Sequence, residues 1–500
     1  MSRVCLNHGF LSLIYGGVVV VAGCAQDVPM AATPGTLLGT KVPERLSVEE
    51  VVEEPVIDNT LLQLTLDDAI HRSLVANRGL IAAGDQVDSS RLSLVAAESQ
   101  FELKFRPNAT VGFGKHSTSG TNEQYGAGLT IDKRFESGTT AAVTPRLDKV
   151  SNGYQSGVDL SLTKPLLLGS DREYNTSAIQ SAEFSERSAN RSLFLTRVNT
   201  VVSTVVLVYR VVKQQEFVIL NTHATQRLSA LVEGTRAKEK IGLATSIDTL
   251  RGELQLRYAL DTLVVAQESY GDALDDLRVH LSLPMDQRIE VDAPLVFDPV
   301  EIDEQQAILI ALSKRVELEQ ARDNFEESQR HSRIAQHRTL PSLDLVLGYS
   351  RAGVNENLLD NFGLDDHVWN INVVTSTDFA RTAEKAVYEQ SLLGIRSAKR
   401  SLELQQDDIA RQVKRELRNL RKSEKRITIQ EEQIANSEAS LRLAKIKFDH
   451  GLGNNFDLVE AEADLRQAET NLVSAVVDYI VGSYRMRQSL GTLLQQSEGI

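Results

Sequence analysis

The sequence predicts a mainly α-helical chain that carries a small set of β-strands and is written twice over. Three observations predict it. Long proline-free stretches carry a seven-residue apolar repeat, short segments between them alternate strictly with period two, and four landmarks recur in the same order in both halves. Composition agrees. Only 11 residues are Pro and 5% are aromatic, and Ala, Leu, Glu, Gln, Arg and Lys make up a large share, which favours long helices. A chain of 500 residues ordinarily divides into two or more domains. The formal net charge of -14 argues against a nucleic-acid binder, because phosphate needs a basic footprint.

The first element is a short apolar run, Phe10 to Val21 (FLSLIYGGVVVV), preceded by Arg3. It has the length of a signal h-region and is too short to span a membrane as a helix. It ends in VAGC, Val21 to Cys24, which resembles a bacterial lipobox whose Cys becomes the lipidated first residue. Residues 1–23 are therefore expected to be a lipoprotein signal peptide, with Cys24 as the acylated, palmitate-bearing residue. Cleavage there would remove Cys5, leaving no second Cys for a disulfide. Ala25 follows in place of Asp, so by resemblance to such lipoproteins nothing retains the chain in the inner membrane. Residues 24–58, with Pro29, Pro34, Pro43, Pro55 and an acidic run near Glu49 to Glu54, read as an extended tether.

Helix begins near Leu64, where Leu66, Ala69, Ile70, Leu74 and Leu80 form a stripe that Thr65 or Asp67 can cap. The same pattern returns at Ala307-Ile308, Leu312, Leu318 and Ala321. PNATVGFG (Pro107 to Gly114) returns as PSLDLVLG (Pro341 to Gly348), and GVDLSLT (Gly157 to Thr163) as VWNINVV (Val368 to Val374). Gly242-Leu243 with Ile247-Asp248 returns as Gly451-Leu452 with Phe456-Asp457. Ordered recurrence of this kind marks a duplicated unit of helix, strand, strand, long helix, turn and helix, divided as residues 59–295 and 296–495. The first copy is longer between its two strands. The extra residues read as two more strands, YGAGLTI (Tyr125 to Ile131) and GTTAAVTPRL (Gly138 to Leu147). Period-two alternation with a polar opposite face suits a half-buried strand of a soluble sheet or a lipid-facing strand of a membrane barrel.

The long helices follow. From about Ala380 to Phe448 there is no Pro, and Val413, Leu420, Ile427, Ile434, Leu441 and Phe448 recur every seven residues. Beyond the glycine turn, Leu458, Ala461, Leu465, Ala468, Leu472, Ala475 and Tyr479 alternate steps of three and four. The two arms are expected to pack as an antiparallel coiled-coil hairpin roughly 100 Å long. The first copy has matching arms, about Asn175 to Lys240 and Ser246 to Leu283, although Val198 to Val212 is rich in β-branched Val, poor helix chemistry. Gly242 and Gly451 suit the positive φ of a tight turn, and Ser246 and Asn455 suit the caps of the returning helices.

Catalytic wording is missing: no phosphate loop ending in GK[ST], no HExxH, no CxxC and no GxSxG. His331 and His337, six apart, share a helix face poorly as metal ligands. The expectation is no enzyme, no catalytic or metal residues and no cofactor.

Taken together, the doubled plan, the helix starts at Leu66 to Leu80 and Ile302 to Leu318, LPSLDL (Leu340 to Leu345), LTKPLLLG (Leu162 to Gly169) and the two glycine turns resemble the TolC family of outer-membrane efflux proteins, from about Leu64 to Leu494. VVTSTDFAR (Val373 to Arg381) departs from the Pro-containing strand end usual there. The resemblance implies a trimeric β-barrel, four strands from each of three identical chains, continued by a long α-helical coiled-coil barrel. It implies a passive exit duct of the outer membrane, reaching into the periplasm of a Gram-negative-type bacterium and working with an inner-membrane pump through a periplasmic adaptor. The hairpin tips Ile241, Gly242, Leu243, Ala244, His450, Gly451, Leu452 and Gly453 would touch the adaptor. Asp457 and Glu460 match acids that face the pore, and Asp248 matches a gate-linked acid. By position alone the acids at these helix starts also suit the helix dipole, worth roughly 0.3–1 kcal/mol. Two other readings remain: a coiled-coil periplasmic lipoprotein without a pore, and a secretion duct for polypeptides. For the N-terminus, Cys24→Ala is expected to abolish lipidation and leave an uncleaved or mislocalised precursor; normal palmitate labelling of that variant would refute the lipobox.

Overall fold

The computed structural model describes residues 61–116, 120–150, 153–299, 302–355, 366–450 and 452–494. In chain order the first repeat holds β1 (Leu62–Thr65), α1 (Leu66–Ala76), α2 (Arg78–Glu98), β2 (Leu103–His116), β3 (Gly120–Arg134), β4 (Thr140–Val150), β5 (Gly153–Pro165), α3 (Arg172–Asn175), α4 (Ser177–Lys240) and α5 (Ser246–His280). Next come β6 (Ile289–Asp292), α6 (Glu304–Lys314), α7 (Val316–His337), β7 (Asp344–Asn355), β8 (Asp366–Val374), α8 (Thr382–Asp449) and α9 (Asn455–Leu490). The described residues form one compact unit.

The two repeats share their local chemistry. Thr65 opens α1 with a capping box: its hydroxyl accepts from the Asp68 N–H at 3.2 Å, and the Asp68 carboxylate accepts from the Thr65 N–H at 3.3 Å. These bonds hold the Asp68 carboxyl below the usual carboxylate range. At the equivalent place Asp303 opens α6, accepting from the Gln306 N–H at 2.9 Å. Both helices then break on one extended residue, Asn77 and Arg315, before α2 and α7 begin. The second break is locked from inside. Arg315 is buried, and its guanidinium donates to Gln412 at 2.9 Å, to the Ser489 carbonyl at 3.3 Å and to Glu317.

All six strands from β2 to β8, leaving out the separate β6, join one antiparallel sheet in the order β2-β3-β4-β5-β7-β8. Four come from the first repeat and two from the second, so the inserted pair is real and the four strands per chain implied by family resemblance are too few. β1 and β6 form a separate parallel pair, Leu62↔Ile289 to Thr65↔Asp292. That pair ties the first residues described to the link between the repeats.

Both long arms are continuous, 64 residues in α4 and 68 in α8, or about 95–100 Å at ~1.5 Å per residue. The valine-rich part of α4 is helical because it is core. Val205, Val208 and Val211 are fully buried against Leu64, Leu277, Leu281, Ile289, Val291, Val477 and Ile480. A Val costs roughly 0.5 kcal/mol in helix propensity but returns about 1.5 kcal/mol or more when buried, so packing decides. Among the described residues α4 is also the one helix apolar and long enough to cross a bilayer. In the second repeat Ile409, Val413, Leu417 and Met486 form the corresponding core with Ala307 and Ala311. The heptad seam holds in part: Val413, Leu420 and Ile427 on α8 are buried, as are Leu458, Ala461, Leu465, Ala468, Ala475 and Tyr479 on α9, while Ile434, Leu441, Phe448 and Leu472 are only half-buried.

One polar cluster sits inside the first core. His280 Nε2 lies 2.9 Å from Thr204 Oγ1, which lies 2.9 Å from Ser73 Oγ, while Asn77 Nδ2 donates to the His280 carbonyl at 2.9 Å. Burial pushes the His280 imidazole below its ordinary range. Its folded pKa is thus lower than its unfolded one, so the neutral form is favoured by folding. The stability it contributes is present above the unfolded pKa of about 6.5 and is lost as pH falls through the folded value. Thermal melting is therefore expected to drop on acidification below about pH 6.5, and His280→Gln, which cannot charge, to flatten that slope. Identical slopes in the two proteins would refute it.

Candidate functional site: a two-faced sheet and a helical tip

Registers place one apolar row across the whole sheet: Phe105↔Ile131↔Val143↔Leu160↔Tyr349↔Trp369. Leu162, Leu347 and Ile371 extend a neighbouring row, since period two keeps alternate residues on one side. No part of the described chain covers this face. Trp369 is 70% exposed and Phe113 71%, and Phe105, Val143 and Leu160 are exposed too. So large a continuous apolar patch marks contact with something apolar outside the chain.

The other face is polar and internally paired. Arg106 bonds Asp132, Arg146 Nε lies 3.2 Å from Asp159, and the Ser350 hydroxyl donates to Asp159 at 2.6 Å. Glycines on this face make room for neighbours' polar side chains. A Cβ at Gly128 would lie 2.6 Å from Asn108 Oδ1, and one at Gly348 2.7 Å from Asn370 Oδ1. Alternation in the sequence left a soluble sheet and a membrane sheet both open. Uncovered apolar rows backed by paired charges suit lipid on one side and water on the other.

The second region is the far end of the helical hairpins. The α4–α5 turn runs through Gly242 at φ +76°, the left-handed region that glycine takes without strain. Ile241, Leu243 and Leu452 stand out from the turns, Leu452 at 82% exposure. Gly453 packs tightly, since a Cβ there would lie 2.9 Å from Lys447 Cβ, and His450 Nδ1 sits 2.8 Å from the Ile446 carbonyl. Ala244 is half-buried. Gly451 and Cys24 lie outside the described residues.

The caps are one residue earlier than the sequence suggested. Thr245, not Ser246, caps α5: its hydroxyl accepts from the Asp248 N–H at 3.3 Å, and Asp248 Oδ2 accepts from the Thr245 N–H at 3.2 Å. Asn454, not Asn455, caps α9, accepting from the Asp457 N–H at 2.9 Å. Ser246 and Asn455 are the first helical residues, already in helical backbone geometry, so neither can act as the cap. The hydroxyls of Ser246 and Thr249 instead hold the Glu239 carboxyl below the usual carboxylate range.

The structure brings the two helix starts together by contacts that the sequence reading missed. Asn455 is buried, and its Nδ2 donates to the Asp248 carbonyl at 2.8 Å. Lys238 Nζ donates to the Phe448 carbonyl at 3.1 Å, lies 3.8 Å from the Phe448 ring centre and pairs with Asp449 at 3.6 Å. Arg227 donates to Glu462 at 2.6 Å. Asp248 thus spends its carboxylate on the cap, while Asp457 and Glu460 remain exposed. The two histidines serve structure: His331 pairs with Glu327 at 2.8 Å, and His337 Nε2 accepts from the Gly169 N–H at 3.0 Å.

Comparison with known proteins follows this geometry. Residues 307–492 match the outer membrane efflux protein family. The outer membrane protein TolC of Vibrio cholerae serotype O1 is 23% identical over 332 residues, spanning 64% of this chain and 74% of that relative. VceC of Vibrio cholerae shares the fold with a TM-score of 0.68 at 15% identity, over 85% of this chain and 96% of its own. The CmeC outer membrane channel of Campylobacter jejuni gives 0.66 at 14% identity, over 87% of each chain. The resemblance read from the sequence and the TolC-like, mainly α fold are borne out. For the tip, Thr245→Ala and Asn454→Ala should each weaken their helix start by about 1 kcal/mol. Faster amide exchange confined to residues 246–250 or 455–459 is the expected result; unchanged exchange there would refute the caps.

Proposed function

We propose that this chain, TolC-like in fold and matching the outer membrane efflux protein family across its second repeat, is a passive outer-membrane exit duct. The observation that carries this reading is the sheet with an uncovered apolar face and a charged, paired opposite face. In hydrocarbon no backbone N–H or C=O finds water, so a spanning sheet must close on itself. One chain leaves β2 and β8 as open edges. Closure therefore needs further copies, and TolC-family channels are homotrimers. The helices support the same reading. Ile247, Leu250, Leu254, Tyr258 and Val265 form an exposed apolar stripe along α5 that a neighbouring copy would cover. A coiled-coil protein without a pore has no use for such a sheet.

In this reading the two repeats, residues 59–295 and 296–495, each supply one hairpin to a hollow cylinder, whose tips point into the periplasm. Lipidation at Cys24 and the tether of residues 24–58 would anchor the chain from the inner side of the outer membrane. The exposed Ile241, Leu243 and Leu452 would meet the adaptor, and through it the inner-membrane pump. No catalytic step is required of the duct. Asp457 and Glu460 from three copies would ring the constriction, favouring cations and drawing multivalent ones. Asp248, held by its cap, would fix the helix start beside them. Purified protein in planar bilayers is expected to form channels that are cation-selective when closed at the tip. Asp457→Asn with Glu460→Gln should weaken both that selectivity and block by multivalent cations, read as a shift of reversal potential toward zero in a salt gradient. A folded trimer that never conducts would overturn the duct, and an unshifted reversal potential would reduce these acids to helix-start charges.

A further inference from the structure

Within the trimeric duct, on which this inference rests, the inserted strands decide the width of the membrane segment. We propose that three copies close a barrel of eighteen strands, six from each chain, and that its mouth passes polar cargo of larger cross-section than a twelve-stranded barrel admits. The inserted pair, β3 and β4, is fully part of the wall. β3 is paired with β2 from Leu103↔Lys133 to His116↔Gly120, and β4 with β5 from Thr140↔Thr163 to Val150↔Gly153. Both faces run through it without interruption. Ile131 and Val143 stand in the middle of the apolar row, and Asp132 and Arg146 carry two of the charges on the polar side. A hairpin folded inward as a plug would have no reason to keep an apolar face in register with its neighbours.

The inner turn of the insertion is also fixed to the junction between strands and helices. The turn closes with the Phe135 N–H donating to Thr139 and the Gly138 N–H donating to Phe135, each at 2.8 Å. Arg134 donates to Asn175 Oδ1 at 3.0 Å, Asn175 Nδ2 donates to the Gly169 carbonyl at 2.7 Å, and Arg172 pairs with Glu136 at 2.6 Å. Gly138, at φ +78°, fits so closely that a Cβ would lie 2.1 Å from the Gly169 carbonyl oxygen. The widened wall is thus seated on the base of α3 and α4.

Barrel diameter grows roughly linearly with strand number, so eighteen strands give about one and a half times the diameter of twelve, within the class that leaves an open aqueous channel. Arg106 with Asp132 and Arg146 with Asp159 neutralise one another along the wall. The mouth is therefore wide, wet and nearly neutral, and selection by size and charge falls to the tip.

Two measurements test this on the full chain. Electron microscopy of the lipid-reconstituted protein should count eighteen strands around the barrel. Poly(ethylene glycol) of graded size, added on the barrel side of a planar bilayer, should enter up to a cut-off radius that falls by about one-third when Gly120–Val150 is deleted. Equal cut-offs overturn the proposal. Should the deletion variant fail to assemble, the strand count of the unaltered protein still decides. Twelve strands in a conducting trimer overturn the wide barrel and leave the duct standing; a folded chain that forms neither trimer nor channel overturns the duct and the barrel together.

Discussion

Backbone hydrogen bonding at the two ends of one sheet is the constraint on which the rest depends. β2 and β8 each present an unpaired row of N–H and C=O groups; in the proposed duct those rows would lie in lipid, where each unpaired group costs several kcal/mol. The chain cannot satisfy them alone. In that duct, association between copies is a condition of stability and not an addition to a finished fold. In the same duct α4 and α8 would leave the sheet at positions that let neighbouring hairpins meet along their exposed stripes.

Between sheet and tip, the structure concentrates its packing in one place. The valines of α4, the β1–β6 pair and α9 share a core, and the buried contacts thin toward the tip, where Ile434, Leu441 and Phe448 are only half-buried. The tip relies on caps and on single polar links such as Asn455 to Asp248 and Lys238 to Phe448. Local stability scales with buried apolar contact, so the tip is the part that opens most cheaply. The constriction proposed for the tip would therefore sit where opening costs least.

Much of this was legible in the sequence because it is periodic. The heptad from Val413 and the alternation in YGAGLTI each repeat one rule many times, so single exceptions do not hide them. Duplication added a second reading of each element and carried α4 through its unfavourable valines. What stayed hidden was not periodic. The cap positions Thr245 and Asn454 differ from the expected Ser246 and Asn455 by one residue, which side-chain chemistry alone cannot separate, since all four can cap. Asn455, Lys238 and the Arg227–Glu462 pair join segments more than two hundred residues apart, so no local pattern points to them. Nor did alternation tell lipid from a soluble core. Register and exposure add that the described chain leaves the apolar rows uncovered, which is what the lipid reading is built on.

The valine stretch of α4 has a consequence for biogenesis. It lies in the one described helix apolar and long enough to pass as a membrane span, and some of its partners, Val477 and Ile480 on α9, lie at the far end of the chain. Were the chain exported from its N-terminus, as the proposed duct implies, residues 198–212 would be presented long before those partners emerge. Order of synthesis would thus leave part of this segment uncovered until the last helix arrives, and escape from the first bilayer would become a race between folding and insertion.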